Sequence, residues 1–328
     1  MKKTGTPLYG RIPGALAAAA GVLLLLPLAG LDTYFLNVLT VGFLMAVYAG
    51  SWDIVGGVAG QISLGHALFF GTATYTCALL TSLAGLPFPL AAVAALLLSI
   101  AAGAAVGVLS APLKGPFVAL LTLALGEAAH EFFLGQTFFS PQGAYSWGGE
   151  GGVPVVLRLP TSPWAMYYAA LAFLCIATWA MLKIARSQEG LIWTAISGSE
   201  LSARASGVDI MRHKRRAFVV GAALAGASGI GFAACVGRAT AEDFSLELSF
   251  QAATFAAVGG RGTIVGPVLA SLVLYSLLQG TGIPPAGRVL LNALILLVTL
   301  RFFPGGVAGT LRERARSRRM IQAKGETR

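Results

Sequence analysis

The chain has 328 residues, of which 56% are hydrophobic and only 11% charged, with 42 glycines and a formal net charge of +10. A soluble domain carries about 25% charged residues, so a water-soluble fold of this size, which could not cover its surface, is excluded. The positive excess lies in short clusters between long apolar runs, not in a patch or stripe, and so points to a polytopic membrane protein in a lipid bilayer and away from nucleic acid.

A helix that crosses a bilayer needs about 20 mostly apolar residues. The candidates in chain order are 14–31, 35–58, 64–84, 88–111, 116–134, 164–184, 216–236, 248–260, 262–279 and 287–303. They predict an all-α polytopic fold of about 8–10 crossings in a single domain spanning 1–328. The first candidate follows Lys2 and Lys3 and also fits a secretory signal, with Leu28-Ala29-Gly30 as a weak cleavage site. The run 116–134 carries Glu127, His130 and Glu131. The pair 248–279 is broken at Gly259-Gly260-Arg261-Gly262 and reads either as two spans or as a re-entrant element plus one span.

With ten crossings and a cytoplasmic N-terminus, only Arg158, Arg238 and Arg288 among the 23 Lys and Arg fall outside, as the positive-inside rule asks. The basic clusters 183–216 and 301–328 must share a side, which requires an even number of crossings between them. The C-terminus is then cytoplasmic too. Three polar pieces remain: an outer loop, 135–163, ending at the interfacial aromatics Trp164, Tyr167 and Tyr168; an inner loop, 185–215; and a basic tail, 304–328.

Chemistry-bearing motifs are missing from the sequence. It has no GxxxxGK[ST] phosphate loop and no HExxH, and Cys77, Cys175 and Cys235 lack metal-ligand spacing. No catalytic residue, metal site or bound cofactor is expected. Gly56 and Gly60, Gly103 and Gly107, and Gly262 and Gly266 are each four apart, which on a helix makes a flat face for close packing. Asp53, His66, Glu127, His130 and Glu131 fall inside apolar segments, where polar groups usually face the bundle interior. Ser63 reads as an N-cap that places His66 in the first turn of the next helix. In the inner loop, Ser199 reads as the N-cap of a short amphipathic helix that Gly207 stops. Small residues at Ala203 and Ala205 would let it seat in a groove of another protein; a plain connecting helix is equally compatible.

Five blocks carry a family resemblance. They are Gly60-Gln61-Ile62-Ser63-Leu64-Gly65-His66-Ala67 with Phe70-Gly71 and Tyr75; 121–127, ending in Gly126-Glu127; 148–154; 200–208 with Ala217-Phe218 and 222–229; and 258–263 with Gly266-Pro267-Val268-Leu269 and Phe303-Pro304-Gly305-Gly306. Together they resemble the branched-chain amino-acid permeases of the LivM type. The spacing of Glu200, Ala203, Ala205 and Gly207 is similar to the cytoplasmic coupling loop of ABC importer permeases. The resemblance implies a subunit of a bacterial inner-membrane importer with a second, homologous permease subunit, two ATP-binding cassette subunits that carry the ATP and Mg, and a periplasmic substrate-binding protein. It implies ATPase coupling through Glu200, Ala203, Ala205 and Gly207. Gln61, Ser63, His66 and Glu127 become candidates for the translocation path, and Gly60, Gly65, Gly71, Gly259, Gly260, Gly262, Gly266 and Pro267 candidates for packing or hinges. Urea or a short amide is an alternative cargo within the family, and a self-contained secondary transporter or channel is the rival outside it; an intramembrane enzyme would need acidic or metal-ligand pairs that the sequence lacks. One departure concerns Ser197, Gly198 and Ser199, which are neutral where charged residues are common before the coupling segment.

Overall fold

The computed structural model describes residues 32–135, 152–156 and 162–302, most of 21–29, the backbone of 137–140 and 143–146, and residues 305, 306 and 309. Most of the first predicted span, residues 148–151 of the outer loop, Arg158 and nearly all of the basic tail lie outside the described residues.

In chain order the helices are α1 (Thr33–Trp52, continuing into a π-helical turn, Asp53–Val58), α2 (Ala67–Ser82), α3 (Phe88–Ser110), α4 (Pro116–Leu134), α5 (Pro163–Ala185), α6 (Gln188–Gly198), α7 (Glu200–Ala205), α8 (Ile210–Val236), α9 (Leu246–Gly259), α10 (Val265–Gly280) and α11 (Pro285–Phe302). The all-α polytopic reading is correct. Five helices are long and apolar enough to cross a membrane: α1 with its π-turn, α3, α4, α5 and α8. Shorter apolar helices occupy 67–82, 265–280 and 287–299, and α9 has 14 residues. Short elements are tolerated at membrane depth where other helices surround them and satisfy their backbone groups.

Directions alternate. Tyr34 of α1 donates its hydroxyl to Gln279 O of α10, while Gly50 meets Val268, so α1 and α10 run antiparallel. Ser99 of α3 reaches Ala222 O of α8 and Gly107 faces Arg215, which makes that pair antiparallel as well. The break at 259–262 separates two helices of opposite direction, with Gln251 and Tyr275 together at one end and Gly259 against Gly266 at the other. The bundle therefore has two distinct ends. The proximal end carries α6 and α7; the distal end carries the connections between α4 and α5 and between α8 and α9.

Two antiparallel ribbons appear, one within the expected outer loop 135–163 and one joining that loop to the connection between α8 and α9. β1 (Thr137–Ser140) pairs with β2 (Gly143–Ser146), and β3 (Val153–Pro154) pairs with β4 (Arg238–Ala239), setting Val153 opposite Ala239. Thr137, Phe138, Phe139 and Tyr145 are strand formers within the Gly- and Pro-rich composition.

Three sequence expectations change. α8 begins at Ile210 and not near 216, because Asp209 accepts from Arg212 N (3.1 Å) and starts the helix ahead of the apolar run. Gly103 and Gly107 do form a flat face, packed on Ala222 and Phe218 of α8. Gly56–Gly60 and Gly262–Gly266 do not, because Gly60 (φ +68°) and Gly262 (φ +72°) stand in turns outside the helices.

The end of α1 is locked to the turn between α9 and α10. The π-turn rotates Asp53 so that its buried carboxylate accepts two backbone hydrogen bonds, Gly262 N to Oδ1 (2.7 Å) and Ile264 N to Oδ2 (2.9 Å). Ile264 has φ +58°, and Val265 N donates to Thr263 O (2.7 Å), a γ-turn of the strained positive-φ kind. A β-branched residue there costs on the order of 1–3 kcal/mol and persists only where its surroundings over-determine it. Asp53→Asn keeps one acceptor but turns an amide donor toward the second N–H. It should lower stability by about 1–3 kcal/mol, read as thermal unfolding of the purified protein in detergent; unfolding identical to the parent's would show that other contacts hold the turn.

Candidate functional site

The proximal element begins at Ser187, whose hydroxyl accepts from Gly190 N and starts α6, a helix not expected from sequence. Ser199 accepts from Ser202 N (3.2 Å) and starts α7, as the sequence predicted. Gly207, at φ +83° with open space around it, stops the helix in a conformation that disfavours any side chain. Six residues cannot hold a helix alone. Ala203 supplies the anchor: it is buried against Ile196 and Ile210. It therefore faces its own chain, so a groove on another protein is not where it seats. The outward face is Leu201, 81% exposed, with Ala205 and Gly207.

Charge holds this element to the bundle. Lys214 in the first turns of α8 is 2% exposed; its ammonium donates to Leu113 O (3.0 Å) and pairs with Glu200 Oε1 (2.5 Å). One buried cation thus joins α7 to the α3–α4 connection. On the other side, Glu189 of α6 accepts from His213 Nδ1 (2.7 Å) and from Arg216. Trp193 Nε1 donates to His213 O (2.9 Å). Two carboxylates therefore offset part of the positive charge at the N-terminus of α8, where the helix dipole disfavours cations.

The 60–67 segment is a strap between α1 and α2. Trp52 Nε1 donates to Ser63 O (2.7 Å), Leu64 N to Thr122 Oγ1 (3.0 Å), and Ala67 N to Ser249 Oγ (3.0 Å). The cap of α2 is thus supplied by Ser249 on α9. Ser63 does not cap it: its hydroxyl is buried and has no partner among the described residues. Gly65 lies so close to Thr122 O that a Cβ would stand 1.8 Å from it, and Gly71 passes the ring of Phe244. His66 is fully buried just before α2. Ser51 Oγ donates to Tyr48 O (2.7 Å), so His66 donates its Nε2–H to Ser51 Oγ (2.9 Å). Gln61, Ser63 and His66 are interior, and none of them lines the cavities described here. Glu127 is half-buried on α4 and lines none of these cavities either; with His130 and exposed Glu131 it gathers ligand atoms within 4.8 Å. Three groups from one helical turn with an exposed member do not assign a metal.

Gly60 abuts Ser197 at the end of α6, so a side chain there would strike its hydroxyl. The strap thereby joins the proximal element to the π-turn. Gly259 and Gly266 touch backbone to backbone at the α9–α10 turn, beside Gly260 and the buried Pro267.

The distal end holds a constellation that the sequence did not single out. A cavity of about 290 Å³ has an apolar floor, including Met45, Phe70, Phe232 and Leu248, and a polar wall of Arg238, Glu242, Asp243, Glu247, Gln251 and Gln279. A smaller cavity of about 150 Å³ shares Glu247, Gln251, Tyr275 and Gln279 and adds Arg288 and Asn292. Cations and carboxylates over an apolar floor suit a small ligand that bears both charges and an apolar side chain. The available signal was local charge density: four charged residues fall within 238–247 of a charge-poor chain.

Asp243 closes the wall. It is buried, and its carboxylate accepts from Thr240 N (3.0 Å) in a reciprocal cap. Burial pushes its carboxyl up to about 7, with Glu242 adding to the rise and the Thr240 and Thr74 hydrogen bonds and Arg238 opposing it. A folded-state pKa above the unfolded value means that the charged form disfavours folding, so stability should rise as pH falls from about 7 to about 4. Thermal unfolding from pH 8 to 5 should show this gain in the parent and a smaller one in Asp243→Asn; superimposable profiles would contradict it. A second outcome separates the partners of the Lys214 pair. Glu200→Gln strands a buried ammonium and should cost about 3 kcal/mol, whereas Lys214→Met leaves only a part-exposed carboxylate and should cost less; the reverse order in thermal unfolding would contradict this assignment.

Comparison with known proteins agrees with this architecture. The chain is 27% identical over 251 residues to the high-affinity branched-chain amino acid transport system permease protein LivM of Escherichia coli K12, covering 68% of this chain and 57% of that protein. The Salmonella typhimurium protein of the same name is 28% identical over the same shares. The chain thus spans about 57% of the length of these two relatives. The autoinducer 2 import system permease protein LsrC of Escherichia coli O157:H7 is 29% identical over 88% of this chain and 86% of that protein. No solved structure matches. The family model described as "Branched-chain amino acid transport system / permease component" matches residues 34–300, and the chain belongs to this family of multi-pass membrane permeases.

Proposed function

We propose that the chain is the membrane-spanning permease subunit of an ABC importer that moves a branched-chain or related hydrophobic amino acid into the cytoplasm, with ATP hydrolysed on separate subunits. The assembly would contain a second permease subunit, two ATP-binding cassette subunits and a periplasmic binding protein in the bacterial inner membrane, with 1–328 acting as one domain and both termini cytoplasmic. The observation that carries the reading is the proximal element. α7 is capped by Ser199, stopped by Gly207, clamped by the Glu200–Lys214 pair, and turns Leu201 outward.

The structure offers a physical route from that element to the cargo. A push on α7 is transmitted by α6 to Gly60 through Ser197, along the π-turn to Asp53, and on to the α9–α10 turn. α9 and α10 carry Glu247, Gln251, Tyr275 and Gln279 of the distal cavity. Opposite charges over an apolar floor favour a zwitterionic amino acid. The similarity to the autoinducer 2 import system permease, which extends over more of the chain, supports a second reading in which the cargo is not an amino acid.

Reconstitution with the ATPases and binding protein tests both readings. Gly207→Trp meets open space but carries the strain of φ +83°, about 1–2 kcal/mol confined to an exposed turn; it should leave the protein inserted but abolish coupled uptake, and normal uptake would remove the coupling role. Cysteine placed at Ser202 should react from the cytoplasmic side; labelling only from outside would invert the topology. Uptake of radiolabelled leucine, competed in turn by urea and by autoinducer 2, then discriminates the cargoes.

A further inference from the structure

A third, larger cavity of about 580 Å³ opens on the outer flank of the proximal end, between α3, α5, α6 and α8. Its floor is apolar: Ala104 and Val108 from α3, Ile184 from α5, and Val219 and Val220 from α8. Its rim holds Arg212, Arg215 and Arg216 from the first two turns of α8. The one carboxylate on the rim, Glu189, is already engaged by His213 and Arg216. Arg212 and Arg215 are exposed and have no acidic partner among the described residues, so the rim is net positive.

The neighbouring surface sets the depth of this rim in the membrane. On α5, Ile176 and Trp179 are exposed, and Lys183 lies over the Trp179 ring at 5.0 Å. A tryptophan covered by a lysine on a lipid-facing helix marks the headgroup level. Ile184, the residue after Lys183, lines the cavity, so the arginines stand at the height of lipid phosphates. The apolar floor continues through exposed Val108 and Leu109 onto the lipid-facing side of α3.

We propose that this cavity binds an anionic phospholipid, with Arg212 and Arg215 holding the phosphodiester and the start of an acyl chain lying over Val108 and Val219. Guanidinium groups match phosphate oxygens in paired hydrogen bonds, and basic pockets between transmembrane helices on the cytoplasmic side take acidic headgroups. Because Glu189 and Trp193 of α6 share the cavity, the lipid braces the proximal element from the side and links its position to bilayer composition. The proposal rests on membership of a membrane permease family and on the cytoplasmic placement of this end, not on the identity of the cargo.

Native mass spectrometry of the full chain tests it, after exchange into detergent with either phosphatidylglycerol or phosphatidylcholine. The parent should retain phosphatidylglycerol preferentially, and each arginine removed should weaken retention about fivefold. Arg212→Gln with Arg215→Gln should therefore lose most of it, and Val108→Trp, which fills the floor and keeps the charge, should lose it too. Arg301→Gln, which removes one arginine charge elsewhere at this end, should retain the parent's level, unlike either single variant Arg212→Gln or Arg215→Gln. Phosphatidylglycerol should raise the thermal midpoint of the parent, while inorganic phosphate should not. Unchanged retention in the double variant, equal loss in Arg301→Gln, or the same stabilisation by inorganic phosphate would overturn the proposal. So would crosslinking of position 108 to a partner protein, instead of lipid, in vesicles containing phosphatidylglycerol.

Discussion

One buried carboxylate sets the middle of this bundle. Asp53 stands where α1 gives way to a π-turn, and each of its oxygens takes a backbone N–H from the turn between α9 and α10. Within the turn, Thr263 Oγ1 donates to Gly260 O (2.7 Å) and accepts from Gly266 N (3.2 Å), and Ile264 is buried in the core. The turn contains a left-handed isoleucine, and its two arms meet through bare glycines at Gly259 and Gly266. A charge at this depth is costly unless its acceptors are filled, and the turn supplies the donors. The two hydrogen bonds to Asp53 offset both its desolvation and the strain at Ile264, and only this one arrangement makes them. The consequence is registry: α1, α9 and α10 cannot slide independently.

The same lock connects the two ends. The π-turn leads into a strap whose first residue, Gly60, rests on Ser197 of the proximal element. The strap itself is fastened by Trp52, Thr122 and Ser249 from three different helices. Residues that look like a ligand motif in sequence, Gln61, Ser63 and His66, are interior: His66 bonds Ser51, Gln61 donates to Ala59 O, and the Ser63 hydroxyl has no partner among the described residues. The polar groups that line the described cavities are at the ends, in the distal wall and on the proximal rim.

A chain with so few charges places them economically. Lys214 is buried and fixes α7 to the α3–α4 connection; Glu189 gathers His213 and Arg216; Arg212 and Arg215 are left on a cavity rim. The positive excess that first reads as orientation alone has three physical uses: topology, internal clamping and a surface suited to acidic headgroups. The first follows from counting along the chain. The other two depend on which charges meet.

Much of the fold was legible from periodicity and composition. Long apolar runs with sparse charge can only be membrane helices, so the class, the breaks and the capped helix at Ser199 could be read directly, and the family blocks between 60 and 306 agree with them. α6, the early start of α8 and the two ribbons could not be read, because they lie in polar stretches where caps and pairing partners, not hydropathy, decide. The candidate site was legible only in part. Gly207 was visible as a helix stop and Glu200 through the family resemblance, but the partner of Glu200 and the inward face of Ala203 were not. What the sequence determined by itself was solvent, helix content and family, since these depend on local composition and order. What only the tertiary structure decided was which faces meet: Asp53 with residues over two hundred positions away, Ser249 as the cap of α2, and Arg238 with Glu247 around one cavity. Apolar helices are nearly interchangeable in their composition, so the pairing is set by close packing and hydrogen bonds that no linear pattern encodes.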